Sequence, residues 1–169
     1  SNEILEAAKR NLRARADQVL ETALRQFEQL KKHLLLREDE AKLSTAAESM
    51  LRNCFMSQAQ TLQTLQRFDE AAEAYQDCEL RYANEPLALE AILRRSSCLR
   101  LLGRDRQADL LYRQAATVLQ RIPQRYDNAF ETTTRFSRDG WQQYLQWQVD
   151  RLRRTEPAES LANLNQADA

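Results

Sequence analysis

Apolar residues recur along this chain at steps of three and four, the spacing that gathers them on one face of an α-helix. The first run is Leu5, Ala8, Leu12, Ala16, Val19, Ala23, Phe27, Leu30 and Leu34, and it predicts a helix over 3–36. At 1.5 Å per residue that helix spans about 50 Å, longer than a small domain. Arg13-Ala14-Arg15 interrupts its apolar flanks and marks where a bend or break is expected. A stripe this long needs a partner, from the rest of the fold or, as a coiled-coil arm, from another helix. The cluster Glu38 to Glu40 then leads into a second helix over about 40–66, with Leu43, Ala47, Met50, Leu51, Cys54, Phe55, Ala59, Leu62 and Leu65 inward.

A third helix starts near Asp69, whose charge with that of Glu70 suits the positive end of a helix dipole, and runs to Tyr82. Asn84 and Pro86 end it. Pro86 also suits the first turn of the next helix, about 87–102, which Gly103 closes in a left-handed cap. A fifth helix covers 105–121 and stops before Pro123, with Ala108, Leu111, Tyr112, Ala115, Leu119 and Ile122 inward. The stretch 124–136 is polar and aperiodic and reads as a connection. Ser137 caps a helix over 138–154 carrying Trp141, Tyr144, Leu145, Val149 and Leu152. Trp141 and Trp147 point about 120° apart on it, so Trp141 is expected in the core and Trp147 partly exposed, a candidate partner contact. After Pro157 the chain reads as a loosely held tail with a short turn at Leu161 to Leu164.

Composition narrows the fold to all-α. Hydrophobic residues at 43% exclude a charge-dominated disordered chain, and two glycines with three prolines among 169 residues leave too few turns for a sheet protein. Acids and bases balance at 25 each, yet 69–90 holds seven acids and one base while 91–125 holds eight arginines and two acids. The two segments are expected to pair as neighbouring helix faces, with a partner-binding dipole as the alternative. Arginine outnumbers lysine 21 to 4 throughout, which points to composition bias rather than a phosphate site and leaves nucleic acid a disfavoured partner. No apolar run approaches a membrane span, so no membrane insertion is expected of this stretch. The sequence opens on Ser1-Asn2 and not on methionine, so a lacking leader or anchor says nothing about compartment.

Candidate chemistry is sparse. His33 stands among Lys31, Lys32 and Leu34 with no acid or cysteine at ligand spacing, so no metal is expected. Cys54, Cys78 and Cys98 fall on apolar helical positions and read as buried thiols rather than a disulfide framework. Asp69 with Glu73, and Asp105 with Asp109, share helix faces beside arginines, as solvated pairs do. Thr132, Thr133, Thr134 and Ser137 have no base within reach by sequence; the threonines suit bonds to nearby backbone. No enzyme activity and no cofactor is therefore expected.

The chain matches itself at an offset of 37: Phe55, Ala59, Leu62, Leu65, Phe68, Ala71, Tyr75 and Cys78 fall on Ile92, Ser96, Leu99, Leu102, Asp105, Ala108, Tyr112 and Ala115. Small residues at Ala59, Ser96, Ala71 and Ala108 let two antiparallel helices approach closely. In "LRNCFMSQAQTLQTLQRFDEAAEAYQDCEL" and "EAILRRSSCLRLLGRDRQADLLYRQAATVL" the pattern resembles the tetratricopeptide repeat. Phe55 and Ile92 stand in place of the family's tryptophan, and Gln66 in place of the first turn glycine. The junction Arg81-Tyr82-Ala83-Asn84-Glu85-Pro86 and the order Ile122-Pro123, Phe130-Glu131-Thr132-Thr133 and Ser137 to Trp141 are similar to the C-terminal region of large planctomycete tetratricopeptide proteins. That junction also resembles one in repeat proteins of the bacterial cell envelope.

The resemblance implies a right-handed helical-hairpin solenoid of six or seven helices. Its parts would be a long N-terminal helix (3–36), repeat 1 (40–83), repeat 2 (87–122), a capping helix (137–155) and a tail (156–169). It implies a bacterial scaffold, cytoplasmic or periplasmic, that is part of a longer chain and binds a protein or peptide. By matched positions the concave groove would be lined by Asn53, Met56, Gln60, Gln63, Glu90, Leu93, Ser97 and Arg100. These lack the lysine and paired asparagines of a carboxylate clamp. The alternatives are oligomerisation through the first helix and, less favoured, RNA binding.

Overall fold

The computed structural model describes residues 2–155, and among them every regular element is helical. The helices are α1 (Asn2–Glu40), α2 (Thr45–Thr64), α3 (Phe68–Arg81), α4 (Leu87–Leu101), α5 (Asp105–Arg121), α6 (Asp127–Thr133) and α7 (Arg138–Thr155), with a 3-10 turn at Gln124–Tyr126 before α6. The main packing follows chain order, α1 on α2, α2 on α3, α3 on α4, α4 on α5 and α5 on α7. The tail expected over 156–169, with its turn at Leu161 to Leu164, lies outside the described residues.

The 37-residue offset is visible in three dimensions. Ala59, Ser96, Ala71 and Ala108 are all fully buried, and the Ser96 hydroxyl donates to the Ala108 carbonyl at 3.2 Å, which measures how closely α4 meets α5. The turns match as well. Gln66 (φ +61°) and Gly103 (φ +72°) both adopt the left-handed conformation after a helix end. In each turn the next residue's amide returns to a carbonyl five positions back, Arg67 to Leu62 at 3.0 Å and Arg104 to Leu99 at 2.8 Å. Tyr75 and Tyr112 are both buried against their own hairpins.

Ser44 caps α2, its side chain accepting from the Ala47 amide, so the helix begins at Thr45, about five residues later than expected. Met50, expected inward, is exposed, because it lies more than about 100° around α2 from the middle of the face that buries Leu51, Phe55 and Leu62. The acidic and basic segments do pair between helices: Arg95 with Glu79 at 3.1 Å, and Arg104 with Asp69 at 2.9 Å. Glu79 is buried and also accepts from Gln114 of α5, so one carboxylate joins α3, α4 and α5.

Two expectations are corrected. The first helix does not break at Arg13-Ala14-Arg15 and continues to Glu40, and among the described residues nothing covers 2–19, all of which are exposed. The stretch 124–136 is not an unstructured connection. It forms the 3-10 turn and α6, and Phe130 is fully buried beneath the Arg138 guanidinium, 4.8 Å from the ring centroid. Arg138 also donates to the carbonyls of Leu119, Ile122 and Pro123, closing the α5 terminus. A seven-residue helix with one apolar anchor has no period for a sequence pattern to reveal.

Beyond it, Ser137 accepts from the Gly140 amide to start α7, which packs Trp141, Leu145 and Leu152 into the core. Trp141 is fully buried, with Nε1 donating to Thr134 at 2.8 Å, while Trp147 is 59% exposed with the Arg151 guanidinium 5.7 Å from its ring.

Candidate functional site

α4 lies in the middle of the fold, and every residue from Leu87 to Leu93 on it is buried. Glu90 is carried inside by that packing. A buried carboxylate is costly unless compensated, and here two arginines compensate it. Arg94, one turn along α4, donates from Nε at 3.0 Å. Arg135, from the connection between α6 and α7, donates from Nε at 3.0 Å and again from Nη2. α6 with its following connection is thereby pinned across the face of α4.

The result is an open cleft of about 500 Å³. One wall is Met56 and Gln60 of α2, the floor is Leu87, Glu90 and Arg94 of α4, and the far wall is Thr132 to Arg135. The threonine hydroxyls donate to the carbonyls of Ala129 and Phe130, so they are fixed in place with lone pairs left to accept. The cleft combines two apolar side chains, an amide, hydroxyls and a compensated ion cluster. No nucleophile with an adjacent base stands in it.

Of the eight groove residues named from the repeat, the structure brings Met56, Gln60 and Glu90 together in this cleft. The others face elsewhere. Gln63 accepts from the Tyr75 hydroxyl at 2.7 Å. Arg100, its counterpart one repeat on, lies 5.6 Å from the Tyr112 ring and pairs with Asp109 at 2.6 Å. Leu93 is buried, Ser97 donates to the Leu93 carbonyl, and Asn53 is exposed to one side. Leu87, Arg94 and the Thr132 to Arg135 wall were not foreseen. Leu87 and Arg94 sit on the same helix stretch as Glu90 and were open to a sequence reading, whereas the wall depends on how α6 folds back.

The remaining chemistry is muted. Burial pushes the Cys78 thiol up to about 12 and the Cys98 thiol to about 11, and raises that of Cys54 as well, so the thiolate is disfavoured at all three. Burial also raises the Tyr75 hydroxyl. His33 is exposed, and no cluster of three or more His, Cys, Asp or Glu among the described residues could hold a metal ion. Asp109 is taken by Arg100 and Asp69 by Arg104. None of the described helices is long and apolar enough to cross a membrane.

No protein-family model, curated protein or solved structure matches the chain.

Proposed function

We propose that this chain is a non-enzymatic interaction scaffold of tetratricopeptide type, a right-handed solenoid segment that holds an extended peptide of a partner protein in the cleft between α2, α4 and the α6–α7 connection. The tetratricopeptide reading draws its support from the repeat, whose two units share a left-handed turn and buried small residues at an offset of 37. The cleft itself carries the functional reading. Met56 and Leu87 offer an apolar seat, and Gln60 offers a donor and an acceptor to a peptide backbone. Glu90, held by two arginines, gives the floor fixed charges rather than mobile ones.

The test is selection of random peptides displayed on phage against the full chain, followed by affinity measurement on Gln60→Trp, which fills the cleft from a partly exposed position. Enriched peptides should lose about tenfold or more in affinity on that variant. Failure to enrich any peptide, or affinity untouched by Gln60→Trp, overturns the reading.

A further inference from the structure

The cleft floor carries one cation more than its own carboxylate needs. Arg135 already reaches both oxygens of Glu90, Oε2 from Nε and Oε1 from Nη2, and leaves neither without a partner. Arg94 adds a single bond from Nε to Oε1, so the N–H groups of its terminal nitrogens are not spent on Glu90. Two guanidiniums and one carboxylate leave a net positive charge. Among the described residues no other charged side chain lines the cleft.

The layering decides what a ligand meets. The Glu90 side chain keeps only 8% of its surface exposed, whereas those of Arg94 and Arg135 keep 35% and 43%. The anion lies at the bottom and the cations stand over it. Gln60 adds an amide donor from the α2 wall. Thr132 and Thr133 spend their hydroxyl protons on the Ala129 carbonyl, so they are left to accept from peptide amides. A basic side chain entering here meets like charge. A carboxylate meets opposite charge in a partly desolvated site, where such pairing is stronger than at an open surface.

The repeat itself does not ask for this arrangement. At the offset of 37, Glu90 and Arg94 correspond to Asn53 and Ser57, both uncharged, and the first hairpin packs without the ions. The cluster is therefore a feature of one unit rather than of the hairpin fold. Along α4, Leu87 and Arg94 stand about 10 Å apart, a distance that about three residues of extended chain span.

We propose that the cleft selects its peptide by an Asp or Glu side chain that sits on Arg94, about three residues from an apolar side chain seated against Leu87 and Met56. This inference rests on the peptide-binding reading above and names the anchor which that reading leaves open.

The probes are peptides enriched by the phage selection, resynthesised with acetylated and amidated ends, and copies in which each Asp or Glu is replaced in turn by Asn or Gln. Fluorescence anisotropy on the full chain compares them. One such replacement should weaken binding about tenfold or more, and the difference should shrink at high salt. On Arg94→Gln the acidic and amide peptides should bind alike, whereas a variant merely disturbed in its fold would weaken both and keep their ratio. Enriched peptides that Gln60→Trp blocks yet that carry no acid, or whose acid-to-amide ratio survives Arg94→Gln, overturn the anchor and leave the cleft reading standing. Binding that needs a free C-terminal carboxylate overturns the anchor as well. Failure to enrich any peptide overturns both.

Discussion

Gln66 and Gly103 occupy the same place in two successive helical hairpins and adopt the same left-handed backbone, φ +61° and +72°, although only one of them is a glycine. A side chain in that region is strained by about 1–2 kcal/mol, partly offset by the greater freedom that glycine has in the unfolded chain. Gln66→Gly should therefore stabilise the fold by roughly 0.5–1 kcal/mol. Gly103→Gln should cost about as much, since space around Gly103 is open and strain alone decides. Urea denaturation of the two variants and of the exchange pair, which should come out near neutral, checks both signs.

The close helix contacts predict a steep size dependence. Ala71→Leu or Ala108→Leu should destabilise by about 1–3 kcal/mol, because neither site has room for three more carbons. Ser96→Ala should cost only about 1 kcal/mol, the worth of its bond to Ala108, because the first hairpin already carries alanine at the matching Ala59. Chemical denaturation checks the contrast, and neutral leucine variants would remove the close-contact account.

Around Glu90 the two sides of the ion cluster are unequal. Arg135→Ala leaves the buried carboxylate with Arg94 alone and should cost about 1–3 kcal/mol. Glu90→Gln should cost less, because both arginines reach solvent. The order of the two midpoints in urea is the measurement.

The buried cysteines set an alkaline limit. Cys78 and Cys98 stay protonated in the fold up to about 12 and about 11, whereas in the unfolded chain a thiol ionises near 8.5. Their contribution to stability is complete below the unfolded value and is lost as pH rises from there through the folded values. The thermal midpoint should fall above about pH 9, less so in Cys78→Ala at equal starting stability. A thiol reagent at pH 8 should react only as fast as the fold opens; rapid labelling of the native chain would contradict the burial.

Trp147 in a Trp141→Phe background should emit at long wavelength and be quenched readily by acrylamide. Trp141 in Trp147→Phe should emit to the blue and resist quenching, being enclosed by Phe136 and Tyr144. Indistinguishable spectra would place both rings in one environment.

Which parts of this were readable follows from range. Helix positions, the repeat and its buried small residues rest on periodicity within some forty residues, and the pattern from Phe55 to Ala115 carried them. α6 rests on Phe130 alone, and its threonines satisfy local carbonyls instead of marking a face. The cleft needs Arg135 to find Glu90 across 45 residues, an encounter no local pattern encodes. Gln63 and Arg100, at equivalent helix positions, each lie against a tyrosine of their own hairpin, Tyr75 and Tyr112.

Glu79 is shared between the two hairpins. Its buried carboxylate in α3 takes bonds from Arg95 in α4 and Gln114 in α5, so the second hairpin cannot peel away without breaking both. In a linear array each unit can fray from its end; here those shared bonds add to the lost apolar surface and raise the cost of fraying the second hairpin alone.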